Sequence, residues 1–127
     1  MINLLLLPLL LILPSYLPAA QTTSLTTLAE LTVEWNSKIN VISRSPPPTT
    51  ESVLRDHVLP SLAVSKTQTF LDLPAGARVA DIGTGGGYPG LPLALLRPDV
   101  SFTLVDSTRK KLDVVDDIVE RLGIENV

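Results

Sequence analysis

The sequence predicts an α/β domain of Rossmann-like order, a parallel sheet with a helical prefix, and three observations carry that prediction. Two short β-type runs, Arg78–Ile82 and Phe102–Asp106, alternate with two helical patterns, Leu91–Leu96 and a seam of Leu112, Val115, Val119 and Leu122. A glycine-rich segment, Asp81-Ile82-Gly83-Thr84-Gly85-Gly86-Gly87-Tyr88-Pro89-Gly90, joins the first run directly to the first of those helices. An aspartate, Asp106, closes the second run. Crossovers between strands of one sheet are right-handed, which makes the two runs parallel neighbours. Ligands of such sheets sit beyond the carboxyl ends of the strands, where the glycine segment and Asp106 both fall.

From the start of the chain, residues 1–20 stand apart. Leu4 to Leu13 is almost wholly leucine, broken by Pro8, and Pro14, Pro18, Ala19 and Ala20 follow. The run is short for a membrane span and resembles the apolar core of a signal or targeting segment, although no basic residue precedes it. Gln21-Thr22-Thr23-Ser24 is hydroxyl-rich without acids. Leu28, Leu31, Trp35 and Ile39 recur at helical spacing and predict a first helix over about Leu25–Ile39, with Thr27 and Glu30 as a capping box that offers a start inside it. Pro46-Pro47-Pro48 marks a loop. A second helix is expected from Thr50 to about Leu62 with Leu54, His57, Val58, Ser61 and Leu62 on one face, kinked or ended by Pro60. Pro89 and Pro92 lead into the helix after the glycine segment. Gly123 stops the last helix, and Glu125-Asn126-Val127 leads toward a third strand.

Composition narrows the function. Hydrophobic residues make up 45% of the 127, enough to build a core. Aromatics at 4% argue against a base-stacking platform. The net charge of -3 excludes a strong overall basic footprint while allowing a local one. With no cysteine and one histidine, disulfide frameworks and Cys/His zinc sites are excluded, and no metal is expected.

The spacing Asp81-x-Gly83-x-Gly85-x-Gly87 suits a tight backbone turn that a ligand can approach, beside the free N–H groups of a helix start. Two cofactors compete for it. Gly85-x-Gly87-x-x-Gly90, with Asp106 about 20 residues on, satisfies the dinucleotide fingerprint, so an NAD-dependent oxidoreductase is one reading. S-adenosylmethionine is the other. Asp81, two residues before Gly83, could hold a cationic amino-acid moiety but would repel a pyrophosphate. The glycine that opens the turn after the strand is Gly83 rather than Gly85, and Pro89 stiffens a stretch that dinucleotide loops give to helix. No Gly-Lys-Ser/Thr follows, which rules out a Walker loop. A carboxylate at Asp106 can accept from ribose hydroxyls of either cofactor, or cap the next helix together with Ser107.

Four stretches in order carry a family resemblance: Trp35-Asn36-Ser37-Lys38-Ile39-Asn40-Val41-Ile42-Ser43; His57-Val58-Leu59-Pro60-Ser61-Leu62; Asp81 to Ala94; and Phe102 to Ser107 with Lys110-Lys111. Together they resemble the bacterial 16S rRNA (guanine-N7) methyltransferases, the RsmG or GidB family, over about residues 28–127. The resemblance implies a class I S-adenosylmethionine-dependent methyltransferase fold with a helical N-terminal prefix. It implies methyl transfer to N7 of one guanine in small-subunit rRNA. It places Gly83, Gly85, Gly87 and Tyr88, and the ribose-side Asp106, Ser107 and Thr108, at the cofactor. Arg109, Lys110 and Lys111 match basic residues beside the family's cleft, where RNA lies. The family often has aspartate where Pro60 stands, its helix before Trp35 gives way to the leucine leader, and its adenine-contacting residues and at least three later strands fall past Val127. A C-terminally truncated fragment, or an inactive remnant, is therefore expected.

Guanine N7 carries a free lone pair, so no base need take a proton before attack, and no catalytic residue is assigned. His57 is expected to make a structural hydrogen bond near the glycine segment, Trp35 to anchor the core, and Asp113, Asp116, Asp117 and Glu120 to face solvent. The expected organisation is a leader over 1–20, a helical region over 21–70 and the first half of a methyltransferase domain over 71–127. The expected partner is 16S-type rRNA or the small ribosomal subunit, with a monomeric enzyme and no membrane partner beyond the leader. The cytoplasm is the compartment the resemblance implies, or a plastid or other organelle if the leader is a targeting segment.

Overall fold

The computed structural model describes residues 12–127. In order they form α1 (Ala19–Asn36), α2 (Thr50–Val53), a π-helical turn (Leu54–Val58), α3 (Leu59–Val64), α4 (Gln68–Leu71), β1 (Arg78–Ile82), α5 (Gly90–Leu96), β2 (Ser101–Val105) and α6 (Arg109–Leu122). The strands pair in parallel, with Arg78 opposite Ser101 and Ile82 opposite Val105. The α/β order and the parallel pairing are as the sequence predicts.

The first helix is longer than expected. It starts at Ala19 behind Pro18, with no side-chain cap, so the Thr27–Glu30 capping box does not form. Hydroxyls in its first half are absorbed along the helix, Thr23 donating to the Ala19 carbonyl and Thr26 to that of Thr22. A helix therefore does precede Trp35. It buries two faces. Leu25 and Ala29 pack with Val53, Leu54, Val58 and Leu62. Leu28 and Leu31 pack with Leu91, Val114, Val115 and Ile118. A helix sandwiched this way shows no single apolar stripe, which is why periodicity located only part of it. Most of the leucine-rich leader lies outside the described residues. Of the rest, Leu13 is buried in the first cluster, with Ile12 and Leu17 packed against it. Among the described residues, no helix is long and apolar enough to cross a membrane.

Pro60 does not end the second helical segment. Proline cannot donate an amide hydrogen to the preceding turn, and the chain widens by one residue just before it, with the Leu59 N–H bonded to the Leu54 carbonyl. Helix then resumes with Pro60 in its first turn. At the start of α2, Thr49 and Ser52 cap each other's backbone amides. The short helix α4, capped by Thr67, was not expected from the sequence.

On α6, the most buried positions are Val114, Val115 and Ile118, while Leu112, Val119 and Leu122 are half-buried. The buried stripe is turned from the expected seam because α1 crosses over Val114 and Ile118. Gly123 closes the helix in the left-handed conformation, at φ 64°. The expected third strand is reached in one hydrogen bond, Phe102 N–H to the Asn126 carbonyl at 2.7 Å. Asn126 also donates from its side chain to the carbonyls of Ala94, Arg97 and Val100. Val79, Phe102 and Leu104 pack down onto Leu93 and Ala94. The opposite face of the sheet, Arg78, Ala80, Ile82, Ser101, Thr103 and Val105, is exposed.

Candidate functional site

The carboxyl ends of β1 and β2 stand side by side, and the glycine segment turns back over them. The amides of Gly83 and Thr84 both donate to the Val105 carbonyl, at 2.7 and 3.0 Å, which ties the first turn of the loop to the end of the second strand. Gly83 has φ 78°, a conformation that side chains other than glycine's disfavour. A Cβ built on it would meet nothing within 4 Å, so the backbone here is open to a ligand. Gly87 and Gly90 are glycine for another reason, because a Cβ would collide with the Leu91 side chain at 2.4 Å and with Asp81 and Leu104 at 2.8 Å.

Two aspartates organise the turn. Asp81 Oδ2 accepts from the Thr84 hydroxyl at 2.6 Å and from the Gly90 amide at 2.9 Å. It thereby pins the loop's start to its end and satisfies a free N–H at the head of α5. Asp106 does the same between segments. Its Oδ2 accepts from the Gly85 amide at 2.9 Å and its Oδ1 from the Thr108 amide at 2.9 Å, joining the glycine loop to the start of α6. Those two amides, Thr108 foremost and then Gly85, hold the Asp106 carboxyl below its ordinary pKa; partial burial opposes them and the charge of Lys111 assists. Asp106 thus braces Thr108, the residue just before α6, and touches the loop at once, while Ser107 is exposed and the expected side-chain cap does not form.

Tyr88 is placed differently from its neighbours. Its hydroxyl lies 2.9 Å from Thr32 Oγ on α1. The Thr32 hydroxyl donates to the Leu28 carbonyl, so the tyrosine is the donor between them. Burial raises the phenol pKa. His57 meets the Tyr88 ring, centroids 5.5 Å apart and tilted by 48°. The expectation of a His57 hydrogen bond is replaced by this ring contact.

The basic trio divides. Arg109 is bound along its own helix, its Nε 2.8 Å from Asp113 and its Nη2 3.8 Å from Asp116. Lys110 and Lys111 have no carboxylate partner among the described residues, and stand at the first turn of α6 beside Asp106. Trp35, half-buried, packs against the cluster of Leu28, Leu91 and Ile118, as a core anchor should. Its indole N–H donates to Asp117 at 2.7 Å, so that aspartate serves as an α1–α6 link instead of a free solvent-facing charge. Thr84, buried at the centre of the turn, escaped the sequence reading. Its position three residues after Asp81, the spacing of a side-chain clasp across one tight turn, was the available signal. The apolar residues at the strand ends are open, Ile82 75% and Val105 40% exposed.

Comparison with known proteins meets this geometry from another side. Residues 21–127 match the family model GidB, described as rRNA small subunit methyltransferase G. A protein named ribosomal RNA small subunit methyltransferase G from Christiangramia forsetii is 46% identical over 119 residues, covering 91% of this chain and 54% of the relative. Proteins of the same name from Bacteroides fragilis and Flavobacterium psychrophilum are 48% identical over 100 residues and 46% identical over 107. Those matches cover 79% and 84% of this chain, and 46% and 48% of the relatives. The chain spans about half the length of the curated relatives it matches. With its parallel strands, its glycine turn and a family match over residues 21–127, the chain belongs to the GidB family of small-subunit rRNA methyltransferases and has its α/β class I methyltransferase fold.

Proposed function

We propose that the chain carries the cofactor-side half of an S-adenosylmethionine-dependent enzyme that methylates N7 of a guanine in 16S-type rRNA. The observation that carries this reading is the pair of aspartates on the glycine turn. Asp106 keeps lone pairs on both carboxylate oxygens after accepting from Gly85 and Thr108, and these suit ribose hydroxyls. Asp81 has one oxygen, Oδ1, outside its bonds to Thr84 and Gly90, suited to a cationic amino group. The open backbone at Gly83 admits the ligand between them. Gly85, Gly87, Ser107 and Thr108 complete the wall through their backbones, and Tyr88 supports it from behind through α1.

The cofactor supplies an electrophilic methyl group on a sulfonium. The chain's own residues bind and orient it. Because guanine N7 needs no deprotonation, alignment and a favourable field are the chemistry required. In the NAD reading, Gly85 would offer its amide to pyrophosphate, but here that amide is given to Asp106. Lys110 and Lys111 are the basic residues best placed to face RNA phosphates. The function belongs to a domain begun by residues 71–127, with 21–70 as its helical support and 1–20 as a leader. The compartment must hold ribosomes, which means the cytoplasm or an organelle. Calorimetric titration of the chain with S-adenosylmethionine and with NADH tests the reading. Saturable binding of the first alone supports it, and binding of NADH alone removes it. Transfer of a labelled methyl group to small-subunit rRNA, mapped to guanine N7, tests the substrate.

A further inference from the structure

Beside the glycine loop lies a cleft of about 400 Å³ lined by Val33, Asn36, Ser37, Arg44, Pro47 and Pro48. Asn36 is 2% exposed, and its Oδ1 accepts from the amides of Val41 and Ile42 at 2.9 and 3.0 Å. Its Nδ2 is buried without a hydrogen-bond partner, and a buried donor left unpaired is costly unless something completes it. Arg44 is fixed beside it, its Nε donating to the Asn36 carbonyl at 3.0 Å. The rest of that guanidinium has no carboxylate partner among the described residues. Most other arginines are paired: Arg55 with Asp56, Arg97 with Asp99, Arg109 with Asp113, Arg121 with Glu34. Val41 connects the cleft to the loop, since a Cβ on Gly86 would lie 3.2 Å from Val41 Cβ.

We infer that this cleft seats one nucleotide of the RNA substrate, its phosphate on Arg44 and its sugar or base on Val33, Pro47 and Pro48. A guanidinium already oriented by a backbone carbonyl presents its remaining N–H groups at little entropic cost. The apolar wall gives a ring somewhere to rest. With Lys110 and Lys111 across the loop, RNA would be held from both sides of the cofactor turn. The inference rests on RNA being the substrate.

The test is fluorescence anisotropy with a labelled single-stranded oligoribonucleotide from small-subunit rRNA, at salt from about 50 to about 200 mM. Arg44→Ala should weaken binding about tenfold at the lowest salt and lower the salt slope by about 0.7. Arg78→Ala, at the far end of β1, should leave the slope unchanged, and S-adenosylmethionine titrations should be unaffected by either. Wild-type slope and affinity in Arg44→Ala would overturn the cleft while leaving the methyltransferase reading intact. No RNA binding by the unsubstituted chain would remove the RNA substrate and the cleft together. If Arg44→Ala fails to fold, the unsubstituted chain decides: guanosine monophosphate should shift the Asn36 side-chain amide signals saturably, and unmoved signals overturn the proposal.

Discussion

Replacing Gly87 by alanine should destabilise the fold far more than the same change at Gly83, because the two glycines answer different demands. Gly87 has φ 98° and would place its Cβ 2.4 Å from Leu91 Cδ1 and 2.7 Å from Leu91 Cγ. Leu91 is fully buried and touches the α1 and α6 layers, so it has no free volume to retreat into. The backbone conformation alone costs about 1–2 kcal/mol for a non-glycine residue, and forcing a methyl group into a packed core costs about 1–3 kcal/mol. The expected loss is thus about 2–5 kcal/mol, a large share of the ~5–15 kcal/mol that holds a domain together. Gly83 carries only the conformational part, about 1–2 kcal/mol, since nothing lies within 4 Å of its added Cβ. Urea unfolding followed by circular dichroism measures both. The midpoints should separate clearly at equal slope. Equal losses at the two positions would refute the packing reasoning, and a Gly87→Ala loss below about 1 kcal/mol would refute the conformational reasoning as well.

Tyr88→Phe should cost about 0.5–1.5 kcal/mol for the lost bond to Thr32. It should also change the alkaline behaviour. The phenol's pKa is raised in the folded state, so its contribution is full below the unfolded value near pH ~10 and is lost as pH rises beyond it; a melting series above that pH should fall less steeply for Tyr88→Phe. Asp106 is the opposite case. Its folded pKa is lowered, so its stabilisation is present above the unfolded value of about 3.9 and lost as pH falls through the folded one. Acid unfolding of Asp106→Asn should be flatter in that window, and an unchanged acid limb would count against the double amide contact. Ile118→Ala should cost about 2–5 kcal/mol, and Leu112→Ala clearly less, because the first is fully buried and the second half-buried; thermal melts decide.

The α/β order and both strands could be read from the sequence because they rest on local signals. Val79, Ile82 and Leu104 sit among β-type neighbours, and glycine marks the turn whatever surrounds it. The glycine segment's place at the strand ends followed from chain order alone. What escaped depends on partners distant in sequence. The extent of α1 is set by layers on both sides, and the buried stripe of α6 by where α1 crosses it. The indole bond between Trp35 and Asp117 spans 82 positions, and the inward turn of Tyr88 is decided by Thr32, 56 positions away. Asp106 was legible as a polar strand end, but its grip on Gly85 could be seen only once the two strands were side by side.

The claim at the centre is that the open turn at Gly83 and Gly85, braced by Asp81 and Asp106, takes S-adenosylmethionine. The most direct measurement is a heteronuclear NMR titration of the chain labelled with ¹⁵N-glycine, first with S-adenosylmethionine and then with NADH. The prediction is saturable movement of the Gly83 and Gly85 amide signals with S-adenosylmethionine, little change at Gly76 and Gly123, and none of either kind with NADH. Movement of the loop glycines by NADH alone would contradict it.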